Sequence, residues 1–151
     1  MKTTVQYGEK VDLALSTWVK LARAFTSFNR KSADSIKSFN LTQPQFSVIE
    51  ALGHLGAQKI GVLCDKMLVS GGNMTLVLDN LESLGFIERV HCKEDRRAIM
   101  VQLTEKGQNL FQEIFPKHAQ LITDTISVIS PEEQKQLGEL LKKLGKKIKR
   151  Y

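Results

Sequence analysis

The chain has 151 residues, of which 42% are hydrophobic and 25% charged. Those proportions suit a globular domain with its own core and exclude wholesale disorder. Lys and Arg outnumber Asp and Glu by 22 to 16, a net charge of +6, which permits a polyanionic partner without naming one.

Two cysteines, Cys64 and Cys92, make no disulfide framework and fit a reduced, cytosolic protein. No run of residues approaches the ~18 apolar positions of a membrane span. Nor does the stretch from Met1 to Lys10 resemble a signal peptide. The expectation is one cytoplasmic domain over residues 1–151.

The first periodic stretch runs from about Glu9 to Ser32. Val11, Leu15, Trp18, Ala22 and Phe25 recur at steps of four and three, one stripe of a long helix. That stripe suits packing either on the chain's own core or on a second subunit. Thr42 then predicts an N-cap for a helix over Gln43 to Leu55, with Pro44 in its first turn. A short amphipathic segment follows from Lys59 to Leu68. The sequence Ser70-Gly71-Gly72-Asn73 predicts a turn, and Met74 to Leu84 a further helix with Leu78, Leu81 and Leu84 inward. Gly85 closes it as a C′ residue. Two short helices with glycine at their junction form a helix-turn-helix pattern.

After Gly85 the period changes from helical to alternating. Residues 86–90 and 98–103 predict two strands, with Ile99, Val101 and Leu103 on one side. A hairpin in this position is a wing. Thr104 caps the next helix, and Pro116 inside its pattern predicts a kink near Phe115. Ser130-Pro131-Glu132-Glu133 is a capping box opening a last helix with Leu137, Leu140, Leu141, Leu144 and Ile148. The expected fold is therefore mainly α with a small β-hairpin wing. A winged helix-turn-helix lobe spans residues 42–104, flanked by a helical dimerisation region over 9–34 and 105–151. The outer helices are more apolar than one small lobe needs, which suggests a shared interface.

The segment Asp95-Arg96-Arg97, followed by Leu103-Thr104-Glu105-Lys106-Gly107, resembles the wing signature of the MarR family of transcription regulators. Leu81-Glu82-Ser83-Leu84-Gly85-Phe86-Ile87 resembles that family's junction between recognition helix and wing. Residues 70–75 and the Phe115-Pro116 step are similar to family members that respond to quinones and catechols. The resemblance implies a homodimer with interleaved first and last helices, one winged lobe per subunit on a pseudo-palindromic duplex DNA, and repression relieved by a ligand or by oxidation. It also implies that Asp95 orients Arg97.

A recognition helix offers its first turns to base edges in the major groove. The candidates here are Ser70, Gly72, Asn73, Thr75 and Leu76. Asn73 can pair with adenine, and Thr75 can meet a base or a phosphate. Ser70 and Asn73 also suit simple capping. From Met67 to Glu88 there is no Lys or Arg, so phosphate binding has to come from elsewhere. Arg89, Lys93, Arg96 and Arg97 on the wing are the candidates, since a guanidinium fits a narrow minor groove. Lys59 and Lys66 are weaker ones.

For a small aromatic effector the candidate lining residues are Trp18, Phe25, Phe28, Phe46, Phe111, Phe115 and His118, each of which also suits plain core packing. Cys92, beside His91 and Lys93, is a candidate redox-sensitive thiol. No cofactor is expected: no metal-ligand spacing, phosphate loop or nucleophile motif stands out, and the chain reads as a non-enzyme. Two alternatives remain at this point, a constitutive or architectural winged-helix DNA binder without an effector and a winged-helix module for protein–protein assembly.

The +6 is unevenly spread. Residues 1–41 carry seven basic and three acidic residues, residues 42–104 six and seven, and residues 105–151 nine and six. The lobe assigned to DNA is thus not basic, and Lys142 to Arg150 alone hold six basic residues.

Overall fold

A computed structural model describes residues 6–67, 71–91 and 99–148. Six helices and three strands follow in the order α1 (Glu9–Ser38), α2 (Gln43–Leu55), β1 (Gln58–Lys59), α3 (Ile60–Met67), α4 (Gly71–Ser83), β2 (Ile87–His91), β3 (Ile99–Leu103), α5 (Glu105–Ile126) and α6 (Pro131–Ile148). The mainly helical winged architecture expected from the sequence is present.

Local chemistry sets most boundaries. Thr42 accepts the Gln45 N–H, and the Gln45 side chain accepts the Thr42 N–H at 2.8 Å, a complete capping box worth ~1 kcal/mol. Thr104 accepts the Gly107 N–H at 3.1 Å. Ser130 and Glu133 cap α6 reciprocally, at 3.3 and 2.7 Å. Gly85 takes φ 73°, the left-handed conformation that ends α4.

Four boundary expectations need correction. The first helix continues past Ser32 to Ser38, because its stripe extends to the buried Ile36; it stops where Asn40 turns left-handed at φ 58°. The glycine pair expected in a turn lies inside the first turn of α4, which begins at Gly71. Leu84, expected inward, falls beyond α4 and is exposed. The wing is not a lone hairpin: β1 adds an antiparallel edge, giving the order β1-β3-β2 with Gln58 opposite Val101 and Ile87 opposite Leu103. Helix α5 runs through Pro116 without ending there, as its pattern predicts. The alternation of β3 holds at Val101, which is fully buried, and fades towards Ile99, which is exposed.

The core belongs to the lobe. Phe46, Val48, Ile49 and Leu52 of α2 meet Leu63 of α3, Met74, Leu78 and Leu81 of α4, and Ile87 and Val101 of the sheet. Ile36 and Ile114 anchor α1 and α5 to the same cluster. By contrast, α6 has no buried residue among those described, and α1 has only Ile36.

Candidate nucleic-acid interface

Burial of Met74, Leu78 and Leu81 fixes the roll of α4 about its axis. The opposite face carries Gly72, Asn73, Thr75 and Leu76, all exposed. Leu76 is 63% exposed, more so than Leu55 or Leu84, the other exposed leucines of the lobe. Thr75 Oγ1 donates to the Gly71 carbonyl at 3.0 Å, so its proton is spent within the helix. Cβ atoms added at Gly71 or Gly72 would meet nothing within 4 Å. Ser70, the other candidate on this helix, lies outside the described residues.

Arg89 sits where β2 passes the second half of α4. Its guanidinium bridges two carboxylates of that helix, Asp79 at 2.6 Å and Glu82. Glu82 also accepts the Arg89 backbone N–H at 3.2 Å. Burial alone would lower the guanidinium's pKa. The hydrogen bond to Asp79 and the charges of Glu82 and Asp79 outweigh that, holding it above its ordinary value. The cation expected to face DNA is therefore engaged with the helix beside it. Sequence reading missed this pairing, although the signal was present: the acidic residues of an otherwise uncharged helix stand seven and ten positions before one arginine.

The junction between α4 and the wing is built by the motif around Thr104. Thr104 Oγ1 donates to the Gly85 carbonyl at 2.7 Å, and its N–H donates to the Phe86 carbonyl at 3.1 Å. Lys106 donates to the Leu84 carbonyl at 2.7 Å and lies 4.8 Å above the Phe86 ring. Gly107 is buried; a Cβ there would run into the Phe86 carbonyl oxygen and crowd Leu103. The Leu-Thr-Glu-Lys-Gly signature is thus a clasp that receives the exit of α4, and its glycine is required by close approach.

The expected wing-tip residues Cys92, Lys93, Asp95, Arg96 and Arg97 lie outside the described residues. Lys59 and Lys66 are exposed, at β1 and at the end of α3.

The seven candidate effector residues do not converge. Trp18 is exposed on α1. Phe25 and Phe28 line an apolar groove of about 690 Å³ between α1 and α6, with Leu137, Leu140, Leu141 and Leu144 opposite. Phe46 and His118 pack against each other in the core, ring centroids 4.6 Å apart. The His118 ring is 6% exposed, with Nδ1 3.4 Å from Ser35 Oγ. Burial pushes its pKa below the ordinary value, against a smaller opposing pull from Glu50. Phe111 and Phe115 stack at 5.3 Å, and His54 stands edge-on to both, at 5.1 and 4.4 Å. A second groove of about 560 Å³ lies beside His54, lined by residues of α2 (Pro44, Ser47, Glu50, Ala51) and by Lys66 and Met67 at the end of α3. Sequence reading named none of its residues as effector contacts; Glu50 and His54, one helical turn apart, were the available signal. Among the described residues no group of three or more His, Cys, Asp or Glu side chains could hold a metal ion, and no helix is long and apolar enough to cross a membrane.

The model of the MarR family matches residues 41–99. The chain is 37% identical over 138 residues to the HTH-type transcriptional regulator MhqR of Bacillus subtilis, covering 91% of this chain and 95% of the relative. The Bordetella bronchiseptica regulator BpsR, solved to explain how 6-hydroxynicotinic acid regulates its DNA binding, is 25% identical; the match covers 86% of this chain and 98% of that one, with a TM-score of 0.75. AbsC, a MarR family transcriptional regulator from Streptomyces coelicolor, shares the fold at a TM-score of 0.88 and 17% identity, over 97% of this chain and 100% of its own.

Proposed function

This chain belongs to the MarR family of transcriptional regulators, and from that membership we propose that it is a sequence-specific duplex-DNA-binding transcription regulator, a homodimeric repressor released from DNA by a small aromatic ligand or by thiol modification. Residues 42–104 form the DNA-binding lobe, and residues 9–34, in a helix that continues to Ser38, pair with 105–151 as the dimerisation frame. The observation that carries this reading is the first half of α4. Its face of Gly72, Asn73, Thr75 and Leu76 is exposed, short of bulk and free of charge, on a helix braced to a wing by Arg89. Ser70, which precedes Gly71 in the sequence, is the further candidate contact. A helix so presented enters a major groove, while Lys93, Arg96 and Arg97, with Asp95 orienting Arg97, supply the charge that the helix lacks.

The frame supports the dimer. Val11, Leu15, Trp18 and Phe25 on α1, and Leu137, Leu140, Leu141 and Leu144 on α6, are apolar and exposed in a single chain. A second copy covers them and fills the groove between α1 and α6. The small-molecule site is the groove beside His54. Pro44, Ala51 and Met67 give it apolar walls; Glu50, His54 and Lys66 give it polar contacts. Met67 immediately precedes residues 68–70, which lead into α4, so a ligand there bears on the helix that reads DNA.

The test is selection of genomic DNA by the full chain, followed by titration with small aromatic compounds. Nanomolar binding to a pseudo-palindrome, released by one such compound, is the expected result. No bound sequence would remove the function. Release by a quinone from wild type but not from Cys92→Ser assigns the thiol route; equal release from both assigns the groove.

A further inference from the structure

The reading face of α4 has a chemistry that restricts what it can read. Guanine is most often recognised in the major groove by Arg or Lys at O6 and N7. No residue from Met67 to Glu88 can do this, and the next cation, Arg89, is held by Asp79 and Glu82 on the same helix. The helix offers an amide at Asn73 and an apolar side chain at Leu76. Gly72 and Leu76 stand one turn apart, opposite the buried Met74 and Leu78, so Leu76 projects from the centre of the outward face. Gly71 and Gly72 set no side chain between the helix start and its target. Among the groups on base edges in the major groove, the one apolar partner is the C5-methyl of thymine.

Resting on the DNA-binding role proposed above, we infer that Leu76 is a specificity-determining residue that packs on thymine C5-methyl groups, so that the bases beneath α4 in each half-site are A·T pairs. Asn73, one turn from Leu76 on the same helix, hydrogen-bonds adenine there. Specificity of this kind uses shape and methyl contact, and leaves charge to the wing.

The experiment starts from a duplex selected from a random library by the full chain. Each thymine of a half-site is replaced in turn by uracil, which keeps the pairing and removes only the methyl group, and binding is followed by fluorescence anisotropy. For wild type, at least one thymine in each half-site should show about a fourfold loss of affinity on replacement, the scale of one buried methyl group. For Leu76→Ala the same replacement should cost nothing. Leu76 is exposed, so the thermal midpoint of this variant should match wild type. Uracil tolerated at every position by wild type would overturn the inference while leaving DNA binding intact, and needs no variant. An undiminished uracil penalty in Leu76→Ala would also overturn it. A library that yields no bound sequence would overturn the DNA-binding role itself, and this inference with it.

Discussion

The winged lobe and the helical frame solve the problem of apolar surface in opposite ways. The lobe runs from α2 to β3 and closes its own core: Val48, Ile49, Leu63, Met74, Leu78, Leu81 and Val101 are each fully buried in one chain. The frame of α1 and α6 leaves Trp18, Phe25, Leu137 and Leu140 exposed, and α6 has no buried residue among those described. Charge divides the other way. The lobe has six basic and seven acidic residues, while the segments on either side hold the surplus. On the function proposed above, net charge is a poor guide to where this protein meets DNA. A self-sufficient lobe can present a neutral helix to base edges, whereas the surplus falls on segments whose exposed leucines and aromatics call for a protein partner.

The largest expected effect tests whether the lobe is as closed as that contrast claims. Gly107→Ala drives a methyl group into the Phe86 carbonyl at the clasp between α4 and α5. Backbone on both sides leaves little room to yield. We expect a loss of about 3 kcal/mol or more in unfolding free energy, read from urea denaturation. A variant as stable as wild type would mean that the clasp is looser than its geometry indicates.

The second prediction attacks the frame. Leu140→Glu combined with Leu144→Glu places two carboxylates on the apolar stripe of α6. Sedimentation velocity should show a monomer. DNA affinity should fall on the order of a hundredfold, because two half-sites no longer bind as one unit. Hydrogen exchange should still find the strands β2 and β3 protected, since the lobe core does not depend on α6. A dimer that survives both substitutions would place the interface elsewhere.

How much of this contrast could be read from the sequence depends on range. Signals within four residues were legible: the boxes at Thr42/Gln45 and Ser130/Glu133, the cap at Thr104 and the left-handed Gly85 all follow from neighbours along the chain. What was not legible is set by partners far away. Two residues, Gln58 and Lys59, form a strand only because Val101 and Met100 lie opposite. The glycine pair starting α4 reads as a turn because glycine is a poor helix former, yet burial of Met74 one turn on holds it helical. Periodicity marks Phe25, Phe46 and Phe115 as inward, but cannot say that they face a groove, a core histidine and His54 respectively. The candidate reading face was legible as residue types; the pairing of Arg89 with Asp79 and Glu82 went unread although both carboxylates stand on the preceding helix.

The third prediction separates two kinds of arginine. Arg89→Ala unties β2 from α4, and should weaken DNA binding about five- to tenfold, a range kept low by the partial exposure of both carboxylates. Because Arg89 is spent on Asp79 and Glu82, the dependence of affinity on salt should keep its slope. Arg97→Ala should instead lower that slope by about one unit. Loss of a full unit in Arg89→Ala would make it a phosphate contact and would move the charge of the lobe onto the reading helix.

The smallest effect lies at the seam between lobe and frame. His118 of α5 packs on Phe46 of α2 and stands near Ser35 of α1, so one imidazole touches both regions. Burial depresses its pKa in the folded state, and Glu50 opposes that only in part. The unfolded chain therefore binds more protons than the folded one between the folded value and the ordinary value of about 6.5. Stability contributed by the neutral ring is fully present above about 6.5, and falls as pH drops from there through the folded pKa. Thermal midpoints between pH 7.5 and 5.5 should decline more in wild type than in His118→Gln, whose side chain does not titrate. Parallel curves would mean that the ring is solvated when charged, and that the seam is held by Phe46 and Ile114 alone.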